Sequence, residues 1–90
     1  MFQRSDSDFF RLPRVCSSTG VSRSTIYLRI TQGLFPTPIP LGGGRIVGWP
    51  AGEVAAINVA RIAGKPDEEI RELVAQLEAA RMASVSLEGK

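Results

Sequence analysis

The chain has 90 residues, 43% of them hydrophobic, with one cysteine and no histidine. It is long enough for one small globular domain, and it excludes an intramolecular disulfide, a cysteine/histidine zinc site and histidine-based acid–base or nucleophilic chemistry. Its net charge of +2 is unevenly spread: Phe9 to Gly52 holds Arg11, Arg14, Arg23, Arg29 and Arg45 and no acid, whereas from Glu53 onward seven acids face five bases. A purely basic half attracts a polyanion, most commonly nucleic acid; the plainer alternative is a solvated arginine-rich surface.

Residues 1–8 form no periodic pattern and are expected to be a flexible tail. Phe9-Phe10-Arg11-Leu12 begins the fold. Pro13 suits the first turn of a helix, where its missing N–H goes unused, and Gly20 is placed to end that helix near Thr19. Ser22 is a favourable N-cap for a second helix, and Val21 with Ile26 has the spacing of a hydrophobic staple. This helix is expected to reach Gln32, with Gly33 terminating it. Two short helices joined by a tight glycine-containing turn make a helix-turn-helix.

Pro36, Pro38 and Pro40 forbid a helix in the segment that follows. Ile39 and Leu41 suit an edge strand, Gly42-Gly43-Gly44 a flexible turn, and Arg45 to Trp49 a second strand. A β-hairpin directly after the second helix stands where a winged helix-turn-helix carries its wing. Pro50 opens a third helix to about Ala63, with Val54, Ile57 and Ile62 on or near one face, and Gly64-Lys65-Pro66 breaks it. A fourth helix starts near Asp67, whose acidic first turn suits the positive end of the helix dipole. Ile70, Leu73, Val74 and Leu77 form its apolar stripe, and Asp67 with Arg71 has the spacing of an ion pair. The stripe either folds back on a thin core or meets a second protomer; Val85 and Leu87 in the tail could dock on a neighbour.

The expected fold class is mainly α with a small β-hairpin: a winged helix-turn-helix over residues 9–63, a C-terminal helix over 64–82 and a flexible tail over 83–90. Cys16 and Trp49 are read as core residues.

The second helix carries the functional reading. Ile26 and Ile30 share one face, directed at Val15 and Cys16 of the first helix, while Ser24, Thr25, Leu28, Thr31 and Gln32 face outward. An apolar inner face with short polar side chains outside is the pattern of a recognition helix in the major groove. Backbone N–H groups from Ser22 to Thr25 and the helix dipole favour a phosphate, and Arg23 adds a charged contact. Tyr27 either packs or sets its hydroxyl on a phosphate. Arg45 on the wing is suited to flanking backbone or minor groove. The candidate DNA-binding set is Ser22, Arg23, Ser24, Thr25, Tyr27, Leu28, Arg29 and Arg45, with Ser24 and Thr25 on bases and Arg23 and Arg45 on the backbone. Leu28, on the outward side, is suited to a thymine methyl.

Arg11-Leu12-Pro13, Thr19 to Tyr27, Gly33-Leu34-Phe35-Pro36, Leu41-Gly42, Gly48-Trp49 and Glu53-Val54, in this order and at these separations, resemble the AlpA-type prophage regulators and related excisionases with a MerR-like winged helix-turn-helix. The resemblance covers about residues 10–63. It implies a DNA-binding protein of a mobile genetic element that regulates transcription, or acts at attachment sites as a recombination directionality factor, bending DNA and redirecting a tyrosine integrase. It also implies double-stranded DNA as partner, self-association along tandem sites, no catalysis and no cofactor. No apolar run approaches the about 18 residues of a membrane span, and MFQRSDSDFF lacks a signal-peptide pattern, so a cytoplasmic, nucleoid-associated protein is expected. The competing reading from another class is an adaptor that docks its acidic fourth helix on a basic protein partner. An enzyme is disfavoured, since no nucleophile–base pair, paired carboxylates or metal-ligand cluster is visible.

Overall fold

The computed structural model describes residues 8–88, with side chains described to Ala83. Of the tail expected over residues 1–8, only Asp8 is described, and the side chains of Val85 and Leu87, proposed to dock on a neighbour, lie outside what is described. In chain order the elements are β1 (Phe9–Phe10), α1 (Leu12–Thr19), α2 (Arg23–Thr31), β2 (Ile39–Pro40), β3 (Val47–Pro50), α3 (Ala51–Ile62) and α4 (Asp67–Glu88). The architecture is the expected one, mainly helical with a small antiparallel sheet, compatible with a winged helix-turn-helix.

Local chemistry places the first elements. Pro13 stands in the first turn of α1, and Gly20 closes the helix at φ +80°, its N–H bonded to Cys16 O at 2.9 Å. That left-handed conformation is strained for residues with a Cβ, so glycine there makes the tight turn into α2. Ser22 caps α2, its Oγ accepting from the Thr25 N–H at 3.3 Å. Val21 is half-buried and Ile26 fully buried, consistent with the staple spacing.

The wing hairpin forms, with Ile39 opposite Gly48 and Pro40 opposite Val47, but its second strand begins at Val47, so Arg45, expected in that strand, lies in the bend that the three glycines open. Pro40 lies on an edge strand, where a missing N–H is tolerated. A third strand was not expected: Phe9 and Phe10 pair with Pro50 and Trp49, giving the order β1-β3-β2. The Ala51 N–H donates to Asp8 O at 2.8 Å, tying the chain start to the first turn of α3. Gly48 makes this central strand possible. A Cβ there would lie 2.9 Å from Leu41 Cδ1 and 3.2 Å from Phe10 O.

The core gathers Val15, Ile26, Leu34, Phe35, Trp49, Val54, Ile57, Ala60, Ile70 and Val74 from all four helices, the connector after α2 and β3. Trp49 is fully buried and anchors the wing to the connector, its indole N–H donating to Pro36 O at 2.8 Å. Its ring is tilted against Phe35, centroids 6.2 Å apart. Cys16 is half-buried against this core. The α4 stripe folds back on the domain: Ile70 and Val74 are buried and Leu73 and Leu77 pack beside them.

Three expectations need correction. Ile62 does not join the core face of α3; it is 84% exposed, because five residues on from Ile57 the helical period carries it round to the outer side, with Val59, which is 64% exposed. Asp67 does not pair with Arg71. Asp67 lies 3.9 Å from Arg61 and Lys65 pairs with Glu69 at 3.5 Å, while Arg71, itself exposed, reaches across to α2 and donates to Gln32 O at 2.8 Å. The fourth helix does not stop at residue 82 but runs to Glu88, since no glycine or proline interrupts it from Asp67 onward.

Candidate nucleic-acid interface

Seven of the eight candidate residues lie together on α2 and its cap, and Arg45 stands apart in the loop between β2 and β3. Ile26 faces the core and pins the helix against α1. With that side buried, the helical period turns Arg23, Ser24, Tyr27 and Leu28 to the surface, where all four are exposed. Leu28 is 55% exposed, an uncovered apolar side chain amid polar ones. Tyr27 is 43% exposed, so its ring lies partly against the protein with surface left open. Thr25 and Arg29 are half-buried, at the edges of the face rather than its middle.

The hydroxyls at the start of α2 are organised. Ser22 Oγ donates to Thr25 Oγ1 at 3.1 Å and lies 3.2 Å from Ser24 Oγ. A serine has one hydroxyl proton, so with Ser22 donating to Thr25 the Ser24 hydroxyl is the donor to Ser22. Ser24 then presents lone pairs to the outside, and Thr25 keeps its own proton to donate. Ser22 also takes up the Thr25 N–H, which leaves the N–H groups of Ser22, Arg23 and Ser24 as the open donors at this helix start, three of the four expected.

Charge is partitioned in the same way as in the sequence. The ion pairs among the described residues join Arg61 to Asp67, Lys65 to Glu69 and Arg81 to Glu53, all in the C-terminal half. None involves Arg11, Arg14, Arg23, Arg29 or Arg45. Arg14 lies over the Phe10 ring, 4.4 Å from its centroid, which leaves its charge in place. The acid-free half, which includes α2 and the wing, therefore keeps its positive charge at its own surface.

A second set of residues supports this surface and was not foreseen. Arg81 on α4 holds Glu53 on α3 with two bonds, Nε to Oε2 at 2.8 Å and Nη2 to Oε1 at 2.6 Å. Arg81 Nη2 also donates to Thr37 O at 2.9 Å, and Glu78 Oε2 accepts from the Thr37 N–H at 2.9 Å. The hydrogen bond with Glu53 raises the Arg81 pKa above its ordinary value; burial opposes this, and the charges of Glu53 and Glu78 add to it. Asn58 on α3 donates to Ser18 O at 3.1 Å, fastening α1. Partners so far apart in sequence leave no local pattern to find.

A family model described as prophage CP4-57 regulatory protein (AlpA) matches residues 8–56, just over half of the chain. The chain belongs to the AlpA family. The matched span takes in β1, the helix-turn-helix, the wing and the first half of α3; α4 lies outside it. The AlpA-family chain is also 47% identical over 57 residues to an uncharacterized protein, ORF88, of enterobacteria phage P4, an alignment that takes in 63% of this chain and 64% of that one. It thus spans under two thirds of that relative's length. No solved structure matches. Among the described residues, no helix is long and apolar enough to cross a membrane.

Proposed function

We propose that this AlpA-family chain is a sequence-specific DNA-binding protein of a mobile genetic element, with α2 in the major groove and the wing on flanking backbone or minor groove. The observation that carries this reading is the coincidence of three features within residues 9–52: the outward face of α2, the wing, and five arginines without an acidic partner among the described residues. In this mode Arg23 and Arg45 contact phosphates. Ser24, with lone pairs outward, accepts from a base amino group, and Thr25 donates to a purine N7 or a carbonyl oxygen. Leu28 meets a thymine methyl, Tyr27 sets its hydroxyl on a phosphate, and Arg29 adds charge at the edge of the face.

Prophage regulation, as the family's description names it, follows as the biological role. The finer role is a recombination directionality factor at attachment sites, a transcriptional regulator, or both, with self-association on tandem sites and a tyrosine integrase as further partners. Footprinting the chain on the element's attachment site and on its integrase promoter tests this. Protection at the attachment site supports the directionality role, and protection at the promoter supports regulation. Protection at neither, together with binding that does not weaken with salt, would count against DNA recognition altogether. The adaptor alternative is less well supported: two of the three acids in the first turn of α4 are engaged by Arg61 and Lys65.

A further inference from the structure

We infer that α4, which lies outside the family-matched span, is a splint that sets the position of the wing relative to the recognition helix, and that Arg71, Glu78 and Arg81 are positioning residues for DNA binding. The segment between α2 and β2 is the part of the chain that decides this geometry. It contains Pro36 and Pro38 and no regular structure of its own. Helix α4 holds it at both ends. At the near end, Arg71 Nε donates to Gln32 O, the C-cap residue of α2. The Arg71 stem runs beside Gly33, where a Cβ would lie 3.7 Å from Arg71 Cγ. At the far end, Glu78 accepts from the Thr37 N–H at 2.9 Å and from its hydroxyl at 3.2 Å, and Arg81 donates to Thr37 O. Both backbone polar groups of Thr37 are thus held by α4, two residues before the first wing strand.

The Glu53 carboxylate fixes the clamp in turn. It is buried at the start of α3, in the helix that leads directly out of β3, and its two oxygens orient the Arg81 fork. The wing therefore has its entry held at Thr37 and its exit held at Glu53 by one arginine. A recognition helix and a wing that engage one duplex together gain from a fixed separation, because a loose connection makes the second contact a separate ordering step. Ordinary packing of α4 needs only Ile70, Leu73, Val74 and Leu77. The polar contacts are directed at the connector.

The test uses the full chain and three variants: Arg71→Ala, Glu78→Ala, and the pair Glu53→Met with Arg81→Met, which removes both charges together while retaining apolar packing. The first readout is amide exchange in the free chain, at Leu41 and at Ile26. Leu41 N–H donates to Ile46 O across the wing, and Ile26 lies in α2. The splint predicts Leu41 exchange about tenfold faster in Glu78→Ala and in the paired variant, with Ile26 unchanged. Exchange at Leu41 that stays at the wild-type rate, or rises only in step with Ile26, would overturn it. The second readout rests on the proposed DNA binding and uses a duplex recovered by the wild-type chain from a random-sequence pool. Affinity should fall about tenfold, with hydroxyl-radical protection lost on the wing side and kept under α2. Wild-type affinity and an intact footprint in all three variants would overturn the inference. If the wild-type chain recovers no duplex, the DNA reading fails and the exchange rates alone decide the splint. Arg71→Ala and Glu78→Ala, at more exposed positions, keep the test valid should the paired variant unfold.

Discussion

Arg81 and Glu53 meet fork to fork, with nitrogen–oxygen distances of 2.8 and 2.6 Å, and only 9% of the Glu53 side chain and 21% of the Arg81 side chain reach solvent. Removing one partner from a pair this enclosed strands the other, at about 2–4 kcal/mol after allowance for the open side of Arg81. Arg81→Met should therefore lower unfolding stability in urea by that amount, and adding Glu53→Met should restore most of it. Equal instability of the single and paired variants would contradict this account. The arginine side has a defined pH window. Its pKa is raised in the fold, so its contribution is complete below the ordinary arginine range and is lost only as pH climbs through the raised value. Titration to about pH 10 should leave it intact.

Gly48→Ala places a methyl against the Leu41 side chain and the Phe10 carbonyl, at 2.9 and 3.2 Å before any adjustment. Leu41 can turn aside, but the carbonyl belongs to the strand pair itself. A loss of about 1–3 kcal/mol is expected in a denaturant melt, with the β1 and β3 amides the first to lose exchange protection.

Ser22→Ala removes the side-chain acceptor of the Thr25 N–H and the donor to the Thr25 hydroxyl. The cap bond is long at 3.3 Å, so the cost should fall at about 0.5–1 kcal/mol, the lower part of the range for N-cap loss. Ser22→Gly should cost only a few tenths, since glycine leaves the helix start open to water. Chemical denaturation of the two variants side by side measures the difference.

Arg23→Ala and Arg45→Ala should each weaken DNA binding at every duplex sequence tried and reduce the slope of log affinity against log salt by about 1. Both side chains are exposed, so melting should be unaltered within about 0.5 kcal/mol. An unchanged salt slope in both variants would remove these arginines from the interface.

Leu28→Ala should behave differently. The side chain is 55% exposed, so folding loses little. Discrimination at one base pair should relax by about 1 kcal/mol, seen as a tolerated thymine replacement in competition binding. Unaltered preference at every position would place Leu28 outside the groove.

Much of this protein was legible locally. Ser22 caps α2, Gly20 turns between the helices, the prolines keep residues 36–40 out of a helix, and Gly42 to Gly44 close the wing, because each acts through bonds or dihedral angles within a few residues of itself. The exposure of Arg23, Ser24, Tyr27 and Leu28 followed from the helical period once Ile26 marked the inner side. Period and spacing name a face, however, and not the partner that covers it. Asp67 had Arg71 at the right spacing, yet Arg71 turned to Gln32 O, 39 residues away, where a backbone carbonyl at the end of α2 needed a donor. Phe9 and Phe10 showed no sign of becoming a strand until β3 lay beside them. The charge asymmetry and the outward face of α2 were thus determined by the sequence itself. The third strand, the reach of Arg71 to Gln32 and the hold of Arg81 on Glu53 and Thr37 were decided only by tertiary structure, because pairing between distant residues depends on which surfaces the folded chain brings into contact.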